Sequence, residues 1–329
     1  MHPQSNLIGA LLSLSAFGIY ATNDVIVKFL GASYSPFQTI FFSVLFGFPL
    51  VLLMLIGDKS DGNLVPRHPF TSVARALLTV ACVLCGFYAF SVLPLAEAYP
   101  IFFATPILIT IIAIPMLGEK VGIHRGVAVA VGLIAVIVVV RPGNASFGLG
   151  HMAAITAAVL GAFNSVLMRK VSNSERSVVM MLYPMIANLV VAAIALPFVY
   201  KPMPVTHLGL SATMSALGFC AGLLAISAYR RAPAVIVAPM QYSQIIWATI
   251  YGTLLFNEKP DIVTIAGTAV IIGSGLYIVL REGTPDVSKN RPVLQNRSRL
   301  DTGLMPRLTL WSKIFEGRSK EHASANDQS

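Results

Sequence analysis

Apolar runs of roughly 20 residues, the length a helix needs to cross about 30 Å of hydrocarbon, recur ten times along this chain. They begin near Leu7, Phe37, Phe70, Ala96, Ile123, His151, Val178, His207, Val235 and Ile262. Joints that are charged or rich in turn formers separate them, among them "GDKSDGNLVPRHP", "RPGNASFGLG", "YKPMPVTH" and "FNEKPD". Between the third and fourth runs only Leu93 and Pro94 intervene, so those two helices form a tight antiparallel pair. Of the 329 residues, 56% are hydrophobic and 11% charged, with a mean hydropathy of +0.75, more apolar than one soluble core requires. The expected fold is an all-α integral membrane protein of ten transmembrane helices in the cytoplasmic (inner) membrane. The first run has no basic leader or small-residue cleavage site and reads as a retained helix.

A net charge of +9 raises the question of nucleic acid, but topology explains the basic residues better. With the N-terminus inside, eleven basic residues, Arg75 among them, fall in cytoplasmic joints and eight in the tail. Lys28, Arg141, Lys201 and Lys259 alone fall outside. That asymmetry predicts cytoplasmic N- and C-termini. The tail, residues 283–329, is basic, polar and expected to be mostly disordered. Leu308, Trp311 and Phe315 share a helical face that suits an interfacial helix on the lipid bilayer, or a chance stripe in a disordered tail.

The chain repeats. A shift of 139 positions lays Glu119-Lys120 on Glu258-Lys259, Pro100 on Pro239, Pro94 on Pro233, Ala89 on Ala228 and Phe90 on Tyr229. Two five-helix halves follow, residues 1–142 and 143–282, and the odd number of spans forces them into opposite orientations. Inverted repeats of this kind characterise secondary transporters. The shift also sorts the acids. Glu119 and Glu258 recur beside a lysine, as interfacial structural pairs should. Glu97 and Asp24 have no acidic counterpart, which makes them the better candidates for function.

The lysine-bearing "TNDVIVKFLG", the fourth-span "LPLAEAYPIFFATPILITIIAIPMLGEKVG", the fifth-span ending "VIVVVRPG" and "NEKPDIVTIAGTAVIIGSGLYIV" together resemble the drug/metabolite transporter superfamily, in particular its EamA-type members. The resemblance covers about residues 7 to 282. It implies a ten-helix secondary transporter working by alternating access, with a cavity lined by the third, fourth, eighth and ninth spans. It also implies a small-metabolite substrate such as riboflavin or S-adenosylmethionine taken up, or amino acids or drugs exported. One departure is plain: where many relatives carry an arginine in a second-helix pattern like "FFR", this chain has Ser43 in "FFSVLF".

Glu97, one turn after Pro94, has two readings. One is a carboxylate stabilised by a helix N-terminus, worth about 0.3–1 kcal/mol. The other is a cavity acid that binds a cationic group or the coupling proton; members of the resembled family often carry an acid there. Asp24 precedes Lys28 by four residues, so the two share a face and can pair; alternatively Asp24 contacts substrate or proton. "MQYSQIIW" puts Gln241, Tyr242, Gln244 and Trp247 inside the ninth span, in register with Phe102, Phe103 and Thr105 of the fourth. Those residues suit a planar or amphiphilic solute, or else interhelical hydrogen bonds of about 0.6 kcal/mol each. Tyr88, Tyr99 and Asn164 are further candidates of the same type.

Other features read as structure. "GIHRG" at Gly122–Gly126 and "GFCAG" at Gly218–Gly222 have the spacing that brings helices close. Cys82 and Cys85 lack the second ligand pair of a metal site, and the six histidines, at span ends or in polar segments, form no ligand set. Asn144 and Asn296 open formal glycosylation sequons. No cofactor or metal is expected. A membrane-embedded enzyme would need a clustered catalytic set, whereas the polar groups here are scattered. Ten helices suffice for a monomeric pathway, and the glycine faces leave a homodimer open.

Overall fold

The computed structural model describes residues 3–56, 65–118, 123–141, 147–171, 177–232 and 234–283. The Glu119-Lys120 pair, both sequons and the basic tail with its Leu308, Trp311 and Phe315 stripe lie outside these residues.

Helices account for almost all of the described chain: α1 (Pro3–Gly31), α2 (Pro36–Ile56), α3 (Pro69–Val92), α4 (Leu95–Phe102), α5 (Thr105–Leu117), α6 (Ile123–Val140), α7 (Leu149–Val171), α8 (Ser177–Val199), α9 (Val205–Arg231), α10 (Ala234–Val237), α11 (Ser243–Phe256) and α12 (Ile262–Gly283). A 3₁₀ segment, Ala238–Tyr242, joins α10 to α11. Counting α4 with α5, and α10 with α11, gives the ten expected spans. Each of α1, α2 and α3 opens on a proline, whose missing N–H is one the first helical turn cannot use anyway. Among the described residues, six spans are long and apolar enough to cross a membrane by length and composition, with three shorter apolar helices beside them.

The fourth and ninth spans break for chemical reasons. Pro106 cannot donate to the Phe102 carbonyl, and its ring crowds the turn before it; the helix stops at Phe102 and restarts at Thr105. Between them the Ala104 N–H tightens onto the Ile101 carbonyl at 3.1 Å. In the ninth span the 3₁₀ segment ends at Tyr242, 139 positions after Phe103. Both spans also finish alike. Gly118 (φ 67°) and Asn257 (φ 55°) each take the left-handed conformation beyond the last helical turn, the usual place for glycine or asparagine.

The most extensive helix contacts cross between the first five spans and the last five, while α1 also packs on α3 within the first five. α1 packs on α9, α3 on α7, α2 on α8, α6 on α12, and α4 on α11. The main apolar core centres on α4, where Leu95, Tyr99, Ile101 and Phe103 meet Phe90, Tyr242 and Ile271. Large apolar side chains such as Ile134, Ile194 and Leu254 are exposed on the outside, as lipid-facing positions require.

Of the two glycine motifs, Gly126 and Gly218 are not places of close helix approach, and Gly122 lies outside the described residues. A Cβ on Gly126 or Gly218 would meet nothing within 4 Å. At Gly31 it would lie 2.3 Å from the Ser91 Cβ, and at Gly9 2.4 Å from the Ala232 Cβ. Small-residue spacing fixes which residues share a face, not which face meets a neighbour. Cys82 and Cys85 are free thiols, and the buried Cys82 donates to the Ala157 carbonyl at 3.3 Å.

Candidate functional site

Asp24 and Lys28 sit one turn apart on α1, both buried, and reach away from that helix to different partners. Asp24 accepts a 2.6 Å hydrogen bond from the Tyr99 hydroxyl of α4. The Lys28 ammonium donates to the Leu93 carbonyl and pairs with the Glu258 carboxylate at 2.6 Å. Both side chains thus make contacts between helices. Lys28 is only 9% exposed. Glu258, expected to act beside Lys259, instead turns inward across the two halves of the chain.

Tyr99 also belongs to a string of rings. Phe90 meets Phe102 at 4.9 Å and Tyr99 at 5.5 Å, Tyr99 meets Phe103 at 5.8 Å, and Phe103 meets Tyr242 edge-on at 5.1 Å. The string thus runs from α3 through the break in the fourth span to the 3₁₀ segment of the ninth. At its far end the Tyr242 hydroxyl lies where a Cβ on Gly275 would come within 1.9 Å, so α12 must be bare there. Gln241 and Gln244, flanking Tyr242, are both buried. Trp247 stacks on Tyr251 at 6.2 Å, and its ring lies 3.4 Å from a Cβ built on Gly18 of α1. The Tyr251 hydroxyl closes on Thr22 at 2.9 Å. Through Asp24 α1 thus meets α4, and through Thr22 it meets α11.

Glu97 has a different setting. It lies in the first turn of α4, its side chain about one third exposed, with the His151 imidazole of α7 3.4 Å away. Phe147 stacks on that imidazole at 5.6 Å. Asn164 belongs to a buried cluster in which Arg75 Nε donates to Asn164 Oδ1 at 3.2 Å and Asn164 Nδ2 donates to Thr79 at 3.1 Å. Arg75, placed in a cytoplasmic joint by the sequence, is instead buried in α3. Tyr88 is half-buried on α3, outside these clusters.

Sequence reasoning undervalued Lys28 and missed Glu258, His151, Thr22 and Tyr251 as members of these clusters. The signal for Glu258 was present: it sits 139 positions after Glu119, but recurrence was read as a sign of scaffold. For Thr22 and Tyr251 there was none beyond their place inside apolar spans. Among the described residues no cluster of histidine, cysteine, aspartate or glutamate has the make-up of a metal site. An open apolar groove of about 620 Å³, lined by Ile123, Val127, Val131, Val270 and Tyr277 among others, lies between α6 and α12 and shares no residue with the ring string.

The profile of the EamA-like transporter family matches residues 7–141 and again 148–281. The S-adenosylmethionine uptake transporter of Rickettsia prowazekii is 28% identical over 281 residues, covering 85% of this chain and 94% of the relative. That of Rickettsia bellii is 26% identical over 262 residues, 80% of this chain and 90% of the relative. The pseudopaline exporter CntI of Pseudomonas aeruginosa is 23% identical over 270 residues, covering 80% and 93%. A solved crystal structure with 17% identity superposes with a TM-score of 0.55 over 84% of this chain and 96% of its own, a likeness of fold.

Proposed function

The chain belongs to the EamA-like transporter family, a multi-pass membrane protein, and from that premise we propose that it imports a cationic, aromatic metabolite of the S-adenosylmethionine type by alternating access. Its halves, residues 1–142 and 143–282, are inverted repeats with both termini cytoplasmic. Residues 283–329 form a cytoplasmic tail. Support for the inverted repeat comes from the helix contacts. α1 with α9 and α7 with α3 are first-with-eighth and sixth-with-third spans, and a two-fold axis exchanging the halves turns one pair into the other.

The observation that carries the substrate class is the buried Asp24–Tyr99 bond beside the ring string and the two buried glutamines. A sulfonium cation has no hydrogen to donate. It is recognised by a carboxylate's charge and by aromatic faces, the latter worth about 0.5–2 kcal/mol. An adenine ring stacks on aromatic side chains and offers N6 and N7 to an amide, the pairing by which glutamine reads adenine. Asp24, Tyr99, Phe103 and Tyr242 would take the first role, and Gln241, Gln244 and Trp247 the second. The S-adenosylmethionine transporters among the relatives support the same reading. Glu97, paired with His151 at the rim of the membrane, is the proposed site of proton coupling.

Uptake of labelled S-adenosylmethionine into liposomes containing the purified protein is the test, with Asp24→Asn alongside. Saturable uptake of the unaltered compound, reduced at least tenfold in the variant by losses typical of charge-assisted contacts of about 1.5–3 kcal/mol, is expected. Full uptake by Asp24→Asn at matched protein levels removes Asp24 from the site. Efflux of a metabolite without uptake makes the protein an exporter, in line with the pseudopaline relative.

A further inference from the structure

Three chain segments converge on one carboxylate at the end of the molecule where α1 finishes. Glu258 Oε1 pairs with Lys28 at 2.6 Å, and Glu258 Oε2 accepts the Leu95 N–H at 2.9 Å. Leu95 is the first residue of α4. Its N–H is one that the helix itself cannot satisfy, and a negative charge there is favoured by the helix dipole. Lys28 also binds the Leu93 carbonyl at the end of α3 and lies 5.2 Å from the centre of the Phe256 ring.

The second half is shaped to deliver this carboxylate. After α11, Asn257 reverses the chain in the left-handed conformation, and the Glu258 N–H returns to the Gly252 carbonyl at 2.9 Å. The Thr253 hydroxyl holds the Glu258 carbonyl at 3.1 Å. Gly252 leaves the space: a Cβ there would come within 2.8 Å of Glu258 Oε2. The two charged side chains are only 11% and 15% exposed.

One helical turn further into the membrane along the same two helices lie Asp24, four residues before Lys28, and Tyr99, four residues after Leu95, joined to each other. The ion pair therefore stands directly over the proposed site. Two other contacts at this end leave α4 untouched, whereas the Glu97–His151 pair at 3.4 Å also engages its first turn. Gln38 exchanges two hydrogen bonds with the Lys201 backbone, at 2.7 and 2.9 Å, and Tyr34 meets His207 at 2.7 Å. The Lys28–Glu258 clasp differs from them in holding α4.

We infer that the Lys28–Glu258 ion pair, clasped on the first turn of α4, is the gate that closes the Asp24–Tyr99 site toward the outside. It positions α4 when closed, and the site opens outward by releasing Glu258 from Lys28 and from the Leu95 N–H. Being ionic, the clasp can be broken without disturbing the apolar packing beneath it. The inference rests on the transport reading and its topology, and it names residues that touch no substrate.

The test is thiol labelling. Cys82, Cys85 and Cys220 are replaced by serine, Phe103→Cys places a reporter below the gate, and a charged, membrane-impermeant methanethiosulfonate is applied to intact cells. Lys28→Met keeps the stem and removes the charge; Glu258→Gln keeps an acceptor for the Leu95 N–H. Each is expected to speed labelling from outside by roughly tenfold, within the range of coupled two-state equilibria, and the double variant no more than either single one. Gel filtration in detergent confirms folding, and the two single variants stand in for each other where one fails it. Unchanged labelling in a folded variant, or additive effects in the double one, overturns the gate. Faster labelling only from the cytoplasmic face of inverted vesicles overturns its placement. Uptake by the parent protein is scored separately, so a failed transport reading shows as absent uptake whatever the labelling.

Discussion

The fourth and ninth spans break at corresponding places and finish in matching left-handed turns, yet they carry different chemistry. α4 and α5 flank their break with Phe102, Phe103 and Thr105; the ninth span has Gln241, Tyr242 and Gln244 at the same positions. Because the spans run in opposite directions, α4 brings its start and α11 its finish to one end of the molecule, where Glu258 joins them. The break and the closing turn thus recur in the two spans while their side chains differ. One span supplies apolar rings and a helix N-terminus, the other amides and a carboxylate.

The most severe way to break this comparison is to remove the ring at which the spans meet. Phe103 is buried between Tyr99 and Tyr242, so Phe103→Ala should cost about 3–5 kcal/mol, read as a large drop in unfolding temperature in detergent. Tyr242→Ala should cost a comparable amount. A much smaller loss for one of them would show that the string is not a shared core.

A sharper contrast comes from the corresponding polar positions. If the amides belong to the ninth span alone, Gln244→Ala should raise the KM for uptake about tenfold, the effect of roughly 1.4 kcal/mol of lost hydrogen bonding. Thr105→Ala, at its counterpart, should change KM less than about threefold. Equal losses would mean that both spans contact substrate alike.

The smallest effect tests the shared turn. Gly118→Ala forces a Cβ into a left-handed backbone and should destabilise by about 1 kcal/mol. Asn257→Gly, where the side chain is already tolerated, should shift stability by only a few tenths of a kcal/mol. Thermal unfolding of the two variants side by side reads the difference, and a larger cost at Asn257 would give its side chain a role the turn alone does not require.

Much of this architecture was legible because span length and interruption are local properties. The apolar runs start within a few residues of the observed helices, and Pro94 and Pro106 mark the joint and the break. Partnership was less legible. Lys28 and Glu258 are 230 positions apart, and no periodicity within α1 tells whether its lysine turns to Asp24, to lipid or to another half of the chain. Glu258 was set aside because it recurs, yet recurrence describes where a residue sits on the backbone, and the rotation of its helix decides what it meets. Arg75 shows the same limit: a basic residue near a span end reads as a topology marker until Asn164, on a distant helix, comes up beside it. Gly126 and Gly218 show the same limit, since their spacing identified a face but both point into open space.

The crossing of the most extensive helix contacts between the first and last five spans bears on how the protein is made. The first half is synthesised and inserted before its partners exist, so α1, α2 and α3 enter the bilayer with the faces meant for α9, α8 and α7 covered only by lipid. Beyond contacts such as α1 on α3, tertiary assembly has to wait for the second half to emerge. The growing chain then completes itself much as two subunits would, by docking one inserted bundle onto another already in the membrane.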